Sequence, residues 1–226
     1  MAANLFKLAL TTALSLLLLS TLIAVYLLDQ LSVPVSKDSV FIIEPGSSLS
    51  TITKRLTRED LLPVNNIAFK AYAILTRDTG SIQAGQYQLK AGMPSQDVLA
   101  LFRSGKVIQH RITFPEGLRV QEWLERLQQA PYLESKTTGM TREDLRQFLG
   151  LATELEGSLF PDTYQYTLGD SDLDILELAV RKMKEVLGEE WSGRAMTVIS
   201  TPFDALVLAS MIEKETGYGP DREKIA

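Results

Sequence analysis

The 226-residue sequence has no cysteine and a single histidine. Without cysteine there is no disulfide framework and no thiol nucleophile, and the redox state of the compartment is left open. His110 alone cannot build a histidine metal site or a Ser-His triad; beside Gln109 and Arg111 it reads as an exposed or half-buried strand residue. Positive charge is also in deficit, with 23 Lys and Arg against 28 Asp and Glu, a net charge of −5. An acidic body argues against nucleic acid or anionic lipid as the main ligand.

Apolar sequence is plentiful, and it is concentrated at the start. Residues 8–28 carry no charge. A run of 21 such residues is long enough to cross a bilayer as one helix. The apolar core of a cleaved signal peptide is usually ~7–15 residues, shorter than this run. Ser20 and Ala24 are small, but the run continues past them without an Ala-x-Ala site. The expectation is a retained single-pass anchor in the cytoplasmic (inner) membrane. Lys7 and the α-amino group favour a cytoplasmic tail at 1–7. The body is then extracytoplasmic (periplasmic), joined by an extended linker at 29–40.

After the linker one pattern recurs three times: a short strand, a glycine turn and a helix. The pieces are Phe41–Gly46 before Ser47–Leu56, Tyr87–Gly92 before Met93–Phe102, and Ile112–Gly117 before Leu118–Leu127. Glycine allows the sharp strand-to-helix turn without a Cβ penalty. Ser48 and Ser95 read as helix caps. Val120, Trp123, Leu124 and Leu127 form one apolar stripe. A further helix covers Ile67–Leu75. The fold class is α+β, with a module at 41–130 that resembles LysM-type glycan-binding modules, in which strands pack against a helix pair. Simple βα units making a core explain the same pattern equally well.

From 131 the texture changes, and Pro131 breaks the helix. Thr141 and Asp144 form a capping box for a helix through about Leu155. The segment Glu156–Tyr166 is dense in aromatics and carries two carboxylates. Its rings either stack on sugar faces or belong to the core. Asp172 can cap a helix over Leu173–Leu187, and Thr201, Pro202 and Asp204 open the last helix.

That last helix is apolar almost all round, which predicts burial. Two carboxylates stand at its end, Glu213 and Glu215. At ~100° per residue Glu215 aligns with Leu208, Met211 and Ile212, while Glu213 lies nearly opposite, with Leu206 and Ala209. A carboxyl in an apolar sector near the negative end of a helix dipole is expected to have a raised pKa, which suits a general acid.

Ala209-Ser-Met-Ile-Glu-Lys-Glu-Thr216, preceded by Glu156-Gly-Ser-Leu-Phe-Pro-Asp-Thr-Tyr164, resembles the endolytic murein transglycosylases of the YceG-like family. Phe114-Pro-Glu-Gly117, Ala84-Gly-Gln-Tyr87 and the single N-terminal anchor fit the same resemblance. It implies a lysozyme-like catalytic domain beginning at 131 and running to 226, with Glu215 as catalytic residue. It also implies cleavage of the β-1,4 bond between N-acetylmuramic acid and N-acetylglucosamine, giving 1,6-anhydro ends and terminating strand growth. No metal and no cofactor are required. Glu156, Asp162, Tyr164 and Thr216 are the candidate substrate-binding residues. The expected partners are peptidoglycan glycan strands, the membrane and peptidoglycan synthases, with no nucleic acid.

Two other readings compete. One is a non-catalytic, membrane-tethered glycan-binding or scaffold protein. The other is a conventional glycoside hydrolase, with Asp162 or Glu156 as second carboxylate. The sequence ends at Ala226, within a stretch of helical character. The family resemblance implies further catalytic-domain sequence, so the expectation is a fragment with little activity of its own.

Overall fold

A computed structural model describes residues 2–75, 82–152, 154–194 and 199–215. Its first element is helix α1 (Ala2–Leu31). Within α1 the stretch Leu10–Gln30 is long and apolar enough to cross a membrane, by length and composition. Backbone contacts then divide the chain into two units, Met1–Ile108 and Gln109–Ala226. The boundary therefore lies well before the expected one near residue 130. The third strand-glycine-helix piece belongs with the second unit, because its strand pairs there.

The first unit contains β1 (Ser39–Ile43), α2 (Leu49–Arg58), α3 (Asn66–Leu75), β2 (Gly85–Leu89) and α4 (Ser95–Ser104). Strands β1 and β2 are antiparallel, with Phe41 opposite Tyr87. The amphipathic helices bury Ile52, Leu56, Phe69, Leu99 and Phe102 against Phe41, Tyr87 and Leu89. Ser48 caps α2 by accepting the Thr51 N–H. Ser95 does not cap α4. It is the helix's first residue, after Pro94, and its hydroxyl donates to the Gln30 carbonyl at 2.7 Å. The expected linker is also part of this unit. Val35 is buried and exchanges backbone bonds with Met93 and Gly92.

The second unit contains β3 (His110–Thr113), α5 (Val120–Gln129), α6 (Arg142–Phe148), β4 (Thr163–Tyr166), α7 (Asp172–Gly193) and α8 (Pro202–Glu215). Strands β3 and β4 are antiparallel, with Ile112 opposite Tyr164. Its core centres on Phe114 stacked against Trp123, with Leu127, Tyr164, Leu176 and Ala179 around them. Helix α6 ends at Phe148, short of the expected Leu155, where Gly150 turns the chain with a positive φ of 58°. Helix α7 is capped by Ser171 in a box with Asp174. Asp172, the expected cap, is instead a fully buried carboxylate. It accepts the backbone N–H groups of Lys136 and Thr137 and the Thr137 hydroxyl, at 2.9, 3.2 and 2.6 Å. His110 is half-buried on β3, its ring beside Tyr132 and Tyr166.

The two units share one element order, β-α-α-β-α, before α8. In the first, Tyr87 donates its hydroxyl to the Gln83 carbonyl at 2.8 Å, and the Gln83 N–H donates to the Phe102 carbonyl at 3.1 Å. In the second, Tyr164 donates to the Phe160 carbonyl at 2.6 Å, and the Phe160 N–H donates to the Ala179 carbonyl at 3.2 Å. Each residue of the second set stands 77 places after its counterpart (160 − 83, 164 − 87, 179 − 102). Tyr164-Gln-Tyr-Thr-Leu-Gly169 thus repeats Tyr87-Gln-Leu-Lys-Ala-Gly92, and β4–α7 is a fourth strand-glycine-helix piece.

Burial, aided by the nearby Asp162 charge, pushes the Tyr164 phenol up to about 12 from an ordinary 10. A raised folded pKa contributes stability that is complete below the unfolded value and lost as pH climbs through the folded one. Tyr164 should therefore help hold the fold below pH 10 and cease to do so between 10 and about 12. Tyr164→Phe should cost about 0.5–1.5 kcal/mol at neutral pH, through loss of the hydrogen bond. It should also flatten the alkaline loss of stability, as read from urea denaturation at a series of pH values. An unchanged alkaline slope would show that this phenol does not titrate late.

Candidate active site

Helix α8 is the element on which the candidate acid stands. Thr201 accepts the Asp204 N–H, the Asp204 carboxylate accepts the Thr201 N–H, and Pro202 occupies the first helical position. The helix then runs to Glu215. No residue of α8 is buried, contrary to the expectation from its apolar composition. Phe203, Val207 and Met211 are exposed. A helix without a polar side carries no information on how many of its sides are covered, and the described residues cover one.

That side rests on two glycine turns. Gly157 has φ of 81°, and a Cβ built there would lie 3.1 Å from Leu206 Cδ2. Gly117 has φ of 76°, and a Cβ there would lie 3.8 Å from Glu213 Cγ. Leu206 and Glu213 are seven residues apart, two helical turns on the same side. Lys214 adds a direct bond, its ammonium donating to the Gly117 carbonyl at 3.2 Å. Burial does not follow the helical wheel: Leu208 and Ile212, from the sector of Glu215, are half-buried like Leu206 and Glu213, while Ala209 is exposed. The Leu206–Glu213 side faces the unit, and the side with Met211 and Glu215 is exposed. The apolar surroundings expected for Glu215 are absent among the described residues.

Glu156 reaches across the same region. Its carboxylate accepts the Val120 N–H at 3.1 Å, at the first turn of α5, and lies 3.8 Å from the Arg142 guanidinium. It thus ties the turn before Gly157 to α5 and α6. Asp162 pairs with Lys182 and accepts the Thr163 N–H. The Lys182 ammonium, and after it that backbone N–H, hold the Asp162 carboxyl below its ordinary range. Lys182 also lies over the Phe160 ring, 5.2 Å from its centroid.

Of the two readings open to its ring, Tyr164 takes the core one. Only 7% of it is exposed, and its ring packs near Phe114 and Trp123. Thr216 lies outside the described residues. Of the sequence-derived candidates, the structure brings Glu156 to the turn that seats α8, while Asp162 immediately precedes β4, the strand that carries Tyr164. Lys214 and Lys182 were not foreseen. Lys214 sits between the two glutamates, yet nothing local in sequence tells that its partner is a carbonyl 97 residues away. Between α7 and α8 lies an open groove of about 310 Å³, lined by Leu151, Gly157, Val180, Met183, Leu187 and Leu206.

Glu215 is thus an exposed carboxylate at the end of a helix whose opposite side is seated on the two glycine turns. A family model described as YceG-like matches residues 41–226. The chain belongs to the YceG-like family. A protein of Bacillus subtilis (strain 168), named endolytic murein transglycosylase, is 26% identical over 215 residues, 85% of this chain. The chain spans 59% of the length of that relative. A solved yceG-like protein from Listeria monocytogenes is 22% identical over 82% of this chain and 67% of its own, with a TM-score of 0.36.

Gly157→Ala should lower stability by about 1–2 kcal/mol through the left-handed backbone alone, with a steric part added by Leu206. Leu206→Ala in the same chain should relieve that part, so a double-mutant cycle in urea should show coupling. Strictly additive costs would mean that α8 does not rest on Gly157.

Proposed function

We propose that this chain is a membrane-anchored transglycosylase that cleaves nascent peptidoglycan strands at the bond between N-acetylmuramic acid and N-acetylglucosamine, leaving 1,6-anhydro ends. Membership of the YceG-like family supports the reaction class. The observation that carries the site assignment is the outward carboxylate of Glu215, at the end of a helix locked on its other side by Gly117 and Gly157. A polymeric substrate needs an accessible acid, and a bound sugar itself excludes water from the carboxyl.

The chemistry needs one carboxyl. Protonated Glu215 gives its proton to the bridging oxygen as the muramyl C1–O bond breaks. The muramyl 6-hydroxyl oxygen then bonds to C1, and its proton returns to the carboxylate. No water is consumed, so the second carboxylate of ordinary glycosidases is not required. Glu156 and Asp162 are already engaged by Val120 and Lys182, which suits them to shaping the site rather than to a second catalytic role. Helix α1 serves as the anchor, with Lys7 on the cytoplasmic side and the body outside. The first unit serves as a LysM-like glycan-holding module, a reading supported by its two antiparallel strands packed on helices.

The test compares Glu215→Gln with Glu213→Gln in the full protein that the gene encodes, on purified glycan strands. Loss of the general acid should slow cleavage by on the order of 10²–10⁴ or more, while the inward Glu213 should tolerate the change with a mild loss. If Glu213→Gln is the dead variant and Glu215→Gln is active, the assignment is wrong.

A further inference from the structure

The exit of α1 is tied directly to the first unit. Gln30, the last residue of the apolar stretch, accepts the Asn65 N–H on its side chain at 2.9 Å, and its carbonyl accepts the Ser95 hydroxyl at 2.7 Å. Val35 follows, buried in the core. No slack tether separates the helix from the unit. Helix α3 starts at the residue after Asn65, so its first turn lies beside the end of the span.

The outward side of α3 is apolar. Ile67 is 77% exposed and Ile74 is 63% exposed. They stand seven residues apart on one side, with Lys70 and Ala71 between them, both half-buried. The apolar stretch of α1 has 21 residues, which at ~1.5 Å each matches a hydrocarbon core of about 30 Å. Gln30 then stands at the edge of that core, one turn after Tyr26, which is also exposed. Headgroup layers extend several ångströms further. A residue two places after Asn65 falls within them.

We propose that the outer side of α3, carrying Ile67 and Ile74, rests in the interfacial layer of the bilayer that α1 crosses. Isoleucine side chains enter the acyl boundary, and Lys70 extends its ammonium to the phosphate level. The first unit is thereby held flat on the membrane by two attachments, the span and α3. This fixes its height above the surface on which nascent strands are made. The surface is apolar with one lysine, so contact requires no anionic lipid.

The proposal rests on reading α1 as a membrane span, and the test separates the two. Because the chain has no cysteine, single cysteines can be placed at Ile67, Ile74 and Leu16 and labelled with an environment-sensitive nitrobenzoxadiazole. The full chain is reconstituted in phosphatidylcholine vesicles. Labels at 67 and 74 should emit blue-shifted light, resist aqueous iodide severalfold better than the free dye, and be quenched by spin labels carried near the lipid headgroup. The label at 16 should be quenched by deep spin labels. If 16 is shielded by lipid while 67 or 74 is open to iodide, or is untouched by lipid-borne quenchers, the interfacial contact is refuted. If 16 is itself open to iodide, the anchor fails and the contact falls with it.

Discussion

Helix α8 depends on two glycine turns. Gly157 and Gly117 both hold positive φ, a conformation glycine adopts without cost; the bare backbone of Gly157 admits Leu206, and Glu213 lies over Gly117 at ordinary van der Waals distance. The Lys214 bond to the Gly117 carbonyl fixes the last turn. Once that side is set, helical geometry dictates the rest. Glu215 lies about 200° round from Glu213 and points away from the unit. The exposed position of the candidate acid thus follows from the turns beneath the opposite side. The same turns are supported in their own right, since Glu156 ties the one before Gly157 to the start of α5.

Each unit is closed by the same device. A buried strand tyrosine, Tyr87 or Tyr164, donates to the carbonyl four residues before it, and the N–H at that residue donates to the following helix. The three bonded pieces join strand, preceding loop and helix in one network. Such a network leaves little freedom in the loop. In the second unit that loop is the Gly157–Phe160 segment which seats α8, so core packing and site geometry are joined through the Phe160 backbone.

Much of this was legible in sequence where a turn or cap signal is local. The turns at Gly46, Gly92 and Gly117, the Ser48 cap, the Thr141–Asp144 box and the Thr201–Asp204 box all stand as expected. The fourth repeat was hidden because Gly-Ser-Leu-Phe-Pro161 reads as a loop and draws the aromatics after it into the same description. Yet Tyr164 and Tyr166 alternate with Thr163 and Gln165, the period of a half-buried strand. Asp172 shows a different limit. Its position suited a cap, but its backbone partners lie 35 and 36 residues upstream, beyond any local signal. For α8, composition without periodicity could not say which side is covered.

In the proposed reaction the substrate supplies its own nucleophile, a reading supported by Glu215 as an exposed carboxylate at the end of a helix seated from its other side. A water-consuming mechanism would need a second carboxylate placed to activate that water, and Glu156 and Asp162 are held by other partners. The most direct measurement is digestion of glycan strands by the full protein in ¹⁸O-labelled water, with the new ends analysed by mass spectrometry. Anhydromuramyl ends free of ¹⁸O are the expected result. Reducing ends carrying ¹⁸O would contradict the account.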